Sequence, residues 1–379
     1  MDERTIVKAY KVPLDPTDRQ ATLFECYAYV GICVYNLALR EWARQYEAGE
    51  KPSAFALKRQ FNAMKHARFP YVTEAPYSVT EAAFRNLGNA FQNFFRRVKN
   101  GETPGYPRCK RDSRAFALRD TKVERDRVRL TGVGWVRLQE RGRIPNDALK
   151  YGVYATVSRA AGRWYISVLV EEPAPELQDR HATIMGVDFG LHALAVCSNG
   201  RVFENPKALT AAQVKLARLQ KELARRRKGG ANWHKTQAKL QRAYAAVTAI
   251  RTHTVHQVSD YLTQEVRPAC IVLEDLNVSG MLKNHKLARS ISDAAFSELR
   301  RQVEYKAAWY GIEVIIADRW FPSSKTCNRC GTIKSGLTLS DRTFVCDDCG
   351  FTLDRDLNAA LNLAAYGRNR QTGGDCLGS

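Results

Sequence analysis

The stretch CNRCGTIKSGLTLSDRTFVCDDCGFTLDRDLNAALN, residues 327–362, carries two kinds of metal-binding pattern in direct succession. Two Cys-x-x-Cys pairs, Cys327/Cys330 and Cys346/Cys349, are separated by fifteen residues. Four thiolates at this spacing favour a tetrahedral Zn²⁺ site, which is structural because no coordination position remains open for water. The acidic segment Asp354–Asp356 that follows favours Mg²⁺ or Mn²⁺, which prefer carboxylate oxygens. The pattern predicts a zinc ribbon that leads the chain directly into a metal-dependent active site.

The composition indicates a globular protein with a polyanionic partner. The chain has 379 residues, of which 45% are hydrophobic, enough for two or three domains with buried cores. Lys and Arg number 59 against 39 Asp and Glu, a net charge of +20, which favours nucleic acid over an anionic membrane. Met1–Thr5 carries acids where a signal peptide needs basic residues, and no apolar run approaches the length of a membrane span. We therefore expect a cytoplasmic protein that does not associate with membranes.

The first 175 residues predict β-structure interrupted by a helical block. Ile6–Val12 is typical of a strand, and the capping box Thr17–Gln20 predicts the start of a long helix. A second helix, over Val79–Val98, carries apolar residues at helical spacing, which predicts bundle core rather than a base-stacking platform: Phe84, Leu87, Phe91, Phe94, Phe95 and Val98. Short alternating segments between Ala115 and Glu171, including Tyr151–Val157, predict antiparallel strands that close a small barrel with the N-terminal strand.

The remainder of the chain predicts a second domain. Glu172–Glu176 is typical of a linker, and three antiparallel strands begin at Thr183. Two long helices joined at Gly229–Gly230 follow, and then alternating strands and helices. This order predicts a ribonuclease H-like α/β fold. After Tyr366 the tail is rich in Gly, Asn and Arg, which predicts disorder.

Three acids stand at ends of the predicted elements of this second domain. Asp188 ends the first strand between Gly186 and Gly190, Glu274 ends a buried strand, and Asp356 lies in the first turn of the last helix. Each alone is explained by a structural role, such as stabilising a helix dipole. Together at one edge of a ribonuclease H-like sheet they can hold two divalent ions about 4 Å apart. The set predicts in-line phosphodiester hydrolysis that leaves a 5′ phosphate.

These motifs, in this order, closely resemble the TnpB family, transposon-encoded RNA-guided DNA nucleases related to compact type V CRISPR effectors. The resemblance covers nearly the whole chain, and its anchors are Val34–Asn36, Gly105–Arg108, Gly186–Gly190, Leu273–Leu276, Tyr305–Gly311, Phe321–Ser324, the four cysteines and Asp354–Asn362. It implies that Asp356 rather than Asp354 completes a RuvC-type catalytic triad with Asp188 and Glu274. The cofactors that it implies are Mg²⁺ (or Mn²⁺) at these acids, structural Zn²⁺ and a guide RNA.

The same resemblance implies a multidomain α+β architecture. We expect a wedge-type β-barrel with an inserted helical recognition lobe, followed by a ribonuclease H-like (RuvC) α/β domain with an inserted zinc ribbon. The implied boundaries are wedge barrel 1–14 and 115–175, recognition lobe 15–114, RuvC-like nuclease 183–326 and 351–366, zinc ribbon 327–350, and disordered tail 367–379. The implied partners are a guide RNA from the transposon end and double-stranded target DNA beside a short adjacent motif. A prokaryotic cytoplasm, and the nucleoid when DNA is bound, is the expected location.

Two basic clusters are candidate nucleic-acid contacts. Between Lys207 and Arg242 there are eleven Lys or Arg and a single acid, Glu222. This density, which predicts phosphate contact, peaks in the run Arg225, Arg226, Arg227 and Lys228. The second cluster consists of Arg96, Arg97 and Lys99 at the end of the phenylalanine-rich helix, with Arg108, Lys110 and Arg111 after it. It is a weaker signal, because helix C-termini favour cations anyway.

Other functional classes share parts of this pattern. A guide-independent DNA transposase or resolvase would use the same fold without RNA. A non-cleaving RNA-guided DNA-binding repressor would bind its target without using the acids. A zinc-ribbon transcription factor leaves the long domain that carries the three acids unexplained. The sequence does not define an oligomeric state.

Overall fold

The computed structural model describes residues 4–112, 114–145, 154–175, 181–338 and 341–374. The chain divides into two compact units, Met1–Pro173 and Ala174–Ser379. The finer domain boundaries within each unit stay predictions.

The first unit is built on one sheet whose described strands run in the order β2-β6-β7-β1-β5-β4-β3. These strands are β1 (Thr5–Asp15), β2 (Ala115–Leu118), β3 (Lys122–Val123), β4 (Arg127–Leu130), β5 (Gly134–Leu138), β6 (Ala155–Ala160) and β7 (Arg163–Pro173). β1 joins the two halves of the sheet, because it pairs with β7 along most of its length and with β5 at its end. The pairings between described strands include none that links β2 to β3, so closure into a barrel stays a prediction. Of the strand predicted over 151–157, residues 151–153 lie outside the described residues.

Three helices are inserted between β1 and β2: α1 (Asp18–Glu47), α2 (Ala54–Arg68) and α3 (Tyr77–Lys99). The predicted capping box is confirmed at the start of α1. Thr17 Oγ1 accepts from the Gln20 backbone N–H at 3.4 Å, and Gln20 Oε1 accepts from the Thr17 N–H at 3.0 Å. α1 then lays its apolar face on the sheet, where Phe24 packs edge-on against Trp164 with ring centroids 5.2 Å apart.

The aromatic stripe of α3 is core over its first half only. Phe91 is buried and stacks on Trp42 of α1 with ring centroids 4.0 Å apart. One turn further on, Phe95 and Val98 are each 51% exposed. The prediction of a continuous core stripe was wrong here. Trp42 is the last buried apolar side chain of α1, so the end of α3 lacks an apolar partner of this kind on that helix.

The prediction that no apolar run approaches the length of a membrane span was wrong for α1. An 18-residue window of this helix has a mean hydropathy of 1.3, which is long and apolar enough to cross a membrane by length and composition alone. Of that window 44% is buried inside the protein. The packing of α1 on the sheet of the first unit accounts for its apolar composition.

The second unit contains a five-stranded sheet in the order β10-β9-β8-β11-β12. Its strands are β8 (His181–Asp188), β9 (Ala193–Cys197), β10 (Val202–Glu204), β11 (Pro268–Leu273) and β12 (Glu313–Ile316). β8, β9 and β10 form an antiparallel meander, whereas β11 runs parallel to both β8 and β12. This is the succession of strands that the sequence predicts. The parallel pairs require crossover connections, which the helices provide.

Helices of the second unit are α4 (Ala208–Arg225), α5 (Ala231–Asp260), α6 (Val278–Met281), α7 (Ala288–Ala294), α8 (Phe296–Tyr310) and α9 (Arg355–Gly374). The zinc-ribbon segment adds a hairpin of β13 (Thr343–Val345) and β14 (Thr352–Asp354), which leads straight into α9. α5, the π-helix Tyr261–Val266 that continues it, and α8 cover one face of the sheet with an apolar core that includes Val255, Leu262, Leu299 and Val303.

The prediction of a disordered tail from residue 367 was wrong as far as Gly374, because α9 continues to that residue. The composition of residues 367–374 predicted disorder, but Gly367 has a packing role. A Cβ built at this position would lie 2.7 Å from Val272 Cγ2 and 2.9 Å from Ile184 Cγ2, so the glycine lets the helix approach the sheet. Residues 375–379 of the predicted tail lie outside the described residues.

Candidate active site

Asp188 and Glu274 stand side by side at one edge of the second sheet. β8 and β11 are parallel neighbours, and Val187 of β8 pairs with Leu273 of β11. Asp188 and Glu274 each directly follow this pair, so the strand spacing of about 5 Å separates their backbones. β11 is buried over Cys270–Leu273, and Glu274 is the first residue to leave the core.

Helix α9 brings the third acid to the same edge. A Cβ built at Gly186 would lie 2.0 Å from the carbonyl oxygen of Ala360, so α9 packs backbone against backbone on β8. Asp356 lies one helical turn before Ala360, and Asp188 lies two residues after Gly186. The contact between Gly186 and Ala360 therefore brings Asp356 to the edge of the sheet where Asp188 lies. Asp354 instead caps the helix, because its Oδ1 accepts from the N–H groups of Asp356 and Leu357, both at 3.0 Å.

The three carboxylates interact electrostatically. Burial raises the pKa of Asp188 well above its usual value, and the charges of Glu274 and Asp356 raise it further. The pKa of Glu274 is also raised, first by burial and then by Asp356, against a lowering effect of Ser323 and Arg355. Among the described residues, only the four cysteines form a set of three or more ligand atoms mutually within 4.8 Å. Whichever oxygen is taken from each of Asp188, Glu274 and Asp356, at least two of the three chosen oxygens are therefore more than 4.8 Å apart.

Ser323 fixes the orientation of Glu274. Its hydroxyl, in a residue that is 3% exposed, donates a short hydrogen bond to Glu274 Oε1. The Asn362 side chain of α9 donates to the carbonyl of Ser323 at 2.7 Å and to that of Thr326 at 2.6 Å. Asn358, one turn earlier, donates to the same Thr326 carbonyl at 2.8 Å. The helix that carries Asp356 thus also holds the segment that orients Glu274.

Ser323, Asn358 and Asn362 were not predicted as site residues, although all three belong to motifs that mark the family resemblance. A signal was present in the two asparagines, which are four residues apart within the otherwise apolar run Leu357–Ala365. The structure buries both of them, with Asn358 0% and Asn362 4% exposed. Buried amides need partners, and here the partners are backbone carbonyls of the loop before the ribbon.

A cavity of about 380 Å³ opens beside Glu274. Its lining includes Phe189, Phe296, Arg300 and Arg319. The two arginines are held by Asp275, which accepts from Arg300 Nη1 at 3.1 Å and from Arg319 Nη2 at 2.6 Å. The carboxylate edge is thus open to a cavity with fixed cationic groups in its wall.

The four cysteines come together as the sequence predicts. Cys327 and Cys349 have sulfurs 3.7 Å apart, those of Cys330 and Cys346 are 3.5 Å apart, and all four lie within 4.8 Å of one another. Tetrahedral Zn²⁺ with Zn–S bonds of about 2.3 Å requires sulfurs about 3.8 Å apart, so the set fits zinc.

The thiols of Cys330 and Cys349 differ in their ionisation when no metal is bound. Hydrogen bonds from Thr332 lower the pKa of Cys330 to about 6. The Phe351 N–H favours the thiolate of Cys349, but burial and the neighbouring cysteines outweigh it and raise the pKa of Cys349 to about 12. A metal ion would offset the repulsion between four thiolates.

Both basic clusters are solvent-exposed. Arg225, Arg226, Arg227 and Lys228 lie at the end of α4 and in the turn to α5, and Arg226 pairs with Glu222 at 3.1 Å. Arg96, Arg97 and Lys99 lie at the end of α3 in the first unit, and Arg97 pairs with Glu102 at 3.9 Å. Their contact with nucleic acid stays a prediction.

Family models match three parts of the chain. Residues 296–363 match "Cas12f1-like, TNB domain", residues 165–285 match "Probable transposase", and residues 1–51 match "Helix-turn-helix domain". In the structure this last segment is the strand β1 followed by the single long helix α1.

Known proteins resemble the chain over almost its full length. A protein of Streptomyces pristinaespiralis named "Putative RNA-guided DNA endonuclease" is 36% identical over 98% of this chain and 92% of its own length. The protein InsQ of Escherichia coli, which carries the same description, is 30% identical over 95% of this chain and 92% of its own. A solved structure described as "Cryo-EM structure of the Cas12f1-sgRNA-target DNA complex" aligns with a TM-score of 0.56 at 13% identity, covering 95% of this chain and 99% of that one. At that identity the structural likeness shows a shared multidomain fold of helices and sheets.

Proposed function

Since this chain belongs to the TnpB family, we propose that it is an RNA-guided DNA endonuclease encoded by a transposon. It cuts double-stranded target DNA beside a short adjacent motif, using a guide RNA from the transposon end. One observation carries the proposal: Asp188, Glu274 and Asp356 lie at the same edge of the second sheet. The relatives named as RNA-guided DNA endonucleases support the same conclusion. Base pairing with the guide would supply sequence recognition, so the protein needs basic surfaces more than base-specific side chains.

In this proposal, Asp188, Glu274 and Asp356 hold Mg²⁺ or Mn²⁺. Buried, mutually repelling carboxylates fit hard divalent cations, which relieve both the burial and the repulsion. One Mg²⁺ with bonds of about 2.1 Å would span oxygens up to about 4.2 Å apart, and two ions about 4 Å apart would span a wider set of carboxylates. Bound metal ions supply a nucleophile at neutral pH and stabilise charge on the departing 3′ oxygen.

Groups of the protein itself prepare this site. Ser323 holds Glu274 in one orientation, and Asp354 caps α9 so that Asp356 is free to serve as a ligand. The cavity beside Glu274 has room for a nucleotide of the strand to be cut. Arg300 and Arg319, fixed by Asp275, provide cationic groups in its wall.

We assign finer architecture on the same basis. The strand order of the second sheet supports a ribonuclease H-like (RuvC) nuclease domain. The sheet of the first unit, with its helical insertion, supports a wedge-type barrel and a recognition lobe. Residues 327–350 form a structural zinc ribbon.

Phosphate binding by Arg225, Arg226, Arg227 and Lys228 is part of the proposal. Their exposure and density support it, because each bound phosphate releases counterions. Replacing all four by alanine should flatten the salt dependence of DNA binding by about 0.9 in logarithmic slope for each phosphate that the variant no longer neutralises. An unchanged slope would exclude this surface from the binding interface.

The decisive experiment starts with the protein purified from a strain carrying its native locus. Any bound RNA is sequenced, and a duplex matching it is incubated with Mg²⁺ and either wild type or Asp188→Ala. We expect RNA-dependent cleavage by the wild type alone. Cleavage without RNA would indicate a transposase or resolvase. Equal target binding by both proteins with no product from either would indicate a repressor.

A further inference from the structure

An arginine of the zinc ribbon reaches the acid edge of the nuclease. Arg342, which directly precedes β13, has its Nη1 3.7 Å from Oδ2 of Asp356. Among the described residues, Asp356 is the acid with which Arg342 makes an ionic contact. The side chain of Arg342 is 53% exposed, while that of Asp356 is 17% exposed. The ribbon therefore places a half-exposed guanidinium directly beside a proposed metal ligand.

The backbone around Arg342 is held firmly against α9. The Arg342 carbonyl accepts from the backbone N–H of Arg355 at 2.8 Å, and the β13–β14 pairing starts at the next residue. Arg355 Nη1 also donates to the carbonyls of Thr338 at 3.0 Å and Asp341 at 3.3 Å. The position of Arg342 relative to Asp356 is thus set by the folded ribbon.

The contact between Arg342 and Asp356 leaves most of the guanidinium for another partner. Charge-assisted hydrogen bonds between arginine and carboxylate are about 2.7–2.9 Å long and often bidentate. The Arg319–Asp275 pair is tighter, with Nε at 3.0 Å and Nη2 at 2.6 Å from one carboxylate oxygen. At 3.7 Å, Arg342 makes a looser contact with Asp356, and its planar set of N–H donors suits a phosphate group.

From this geometry we propose that Arg342 binds the phosphodiester that is cut and stabilises the charge that develops on it. The proposal rests on the proposed nuclease function. A phosphate bound beside Asp356 would lie within reach of the half-exposed guanidinium of Arg342, which is 3.7 Å from the same carboxylate. Fixed cationic donors aimed at developing charge are a major source of rate enhancement. The ribbon then contributes a catalytic residue as well as structural support.

The test compares guide-loaded wild type, Arg342→Ala and Arg342→Lys on a matched duplex in Mg²⁺. We expect Arg342→Ala to lower the cleavage rate of bound target about 100-fold, and Arg342→Lys to restore part of that rate. Arg329→Ala, which removes an exposed arginine of the first Cys-x-x-Cys turn, should cut like wild type. Zinc content and melting temperature verify that each variant is folded.

A second readout needs neither Mg²⁺ nor cleavage. In buffer without Mg²⁺ and without a chelator, so that the ribbon keeps its zinc, the salt dependence of target binding by Arg342→Ala should be shallower than that of wild type by about 0.7 to 0.9 in logarithmic slope, the value of one bound phosphate. If Arg342→Ala does not retain zinc, the cleavage rates of Arg342→Gln and Arg342→Lys are compared instead. The lysine variant is expected to cleave about tenfold faster than the glutamine variant.

Three results would overturn the proposal. One is cleavage by Arg342→Ala within twofold of an active wild type. Another is faster cleavage by Arg342→Ala at low Mg²⁺, which would make Arg342 a competitor of the metal for Asp356. The third is equal rates for the lysine and glutamine variants. An inactive wild type would instead contradict the proposed function itself.

Discussion

Gly186 of β8 and Ala360 of α9 pack so closely that a Cβ at Gly186 would lie 2.0 Å from the Ala360 carbonyl oxygen. Because both partners are backbone, no side-chain rotation can relieve this contact. The close approach sets the distance between the strand that ends in Asp188 and the helix that starts with Asp356. The glycine is therefore a requirement of the site as well as of the fold.

We predict that Gly186→Ala destabilises the protein by at least about 3 kcal/mol and abolishes cleavage, since overpacking against backbone moves α9 away from the sheet. Chemical denaturation measures the first effect and a cleavage assay the second. Gly367→Ala, on the helix that packs against Gly186, is the matched control. Its added Cβ meets side-chain methyl groups at 2.7 and 2.9 Å, which can shift, so its cost should be smaller. Equal destabilisation by the two substitutions would contradict this account.

Removing the hydroxyl that orients Glu274 should weaken the metal site without unfolding it. Ser323→Ala leaves one carboxylate oxygen of Glu274 without its hydrogen bond. Removal of such a supporting hydrogen bond typically costs about 10- to 100-fold in metal affinity or activity. We expect the Mg²⁺ concentration for half-maximal cleavage to rise at least about tenfold. Ser324→Ala serves as the control, and an identical Mg²⁺ response of the two variants would exclude an orienting role for Ser323.

Asp188→Asn should make the metal-free protein more stable and inactive. The folded-state pKa of Asp188 lies above its unfolded value, so its contribution to stability is fully present below the unfolded pKa and is lost as pH rises through the folded pKa. The advantage of Asp188→Asn in Mg²⁺-free buffer should therefore grow as the pH rises. Melting temperatures at pH 5 and pH 8 measure it. An advantage that shrinks with rising pH would show that Asp188 is not strained by burial and its neighbours.

The ribbon should depend on zinc through all four cysteines. Cys346→Ala is expected to lose zinc and stability together, because three thiolates leave a coordination position open and the β13–β14 hairpin loses its anchor. Zinc content by mass spectrometry and a melting curve check this. Cys109→Ala, which removes an exposed cysteine of the first unit, should change neither. Full zinc occupancy in Cys346→Ala would refute the assignment.

The sequence predicted the elements of the fold where a local pattern specifies them. The capping box at Thr17 and the apolar run of β11 depend on neighbouring residues, and both are confirmed. The spacing of the four cysteines likewise predicted their convergence, because it suits a single tetrahedral ion.

Features that depend on contacts between distant residues could not be predicted from the sequence. Ser323 acquires a role only because β11 ends beside its loop, and Arg342 because β13 pairs with the strand before α9. Apolar residues at the exposed end of α3 have the same helical spacing as those in its buried first half. The two halves differ in burial because Trp42 is the last buried apolar side chain of α1. Residues 367–374 have a composition typical of disorder, yet α9 continues through them and Gly367 packs against the sheet.

The most direct test of the central claim is the Mg²⁺-dependent cleavage rate of the guide-loaded protein with Asp356→Asn, measured beside Asp354→Asn. Asparagine keeps the capping acceptor at position 354 but removes a charged ligand at position 356. We predict that Asp356→Asn cuts at least about 100-fold more slowly than wild type and that Asp354→Asn cuts at the wild-type rate. Wild-type cleavage by Asp356→Asn would contradict the claim that Asp356 joins Asp188 and Glu274 in one metal site.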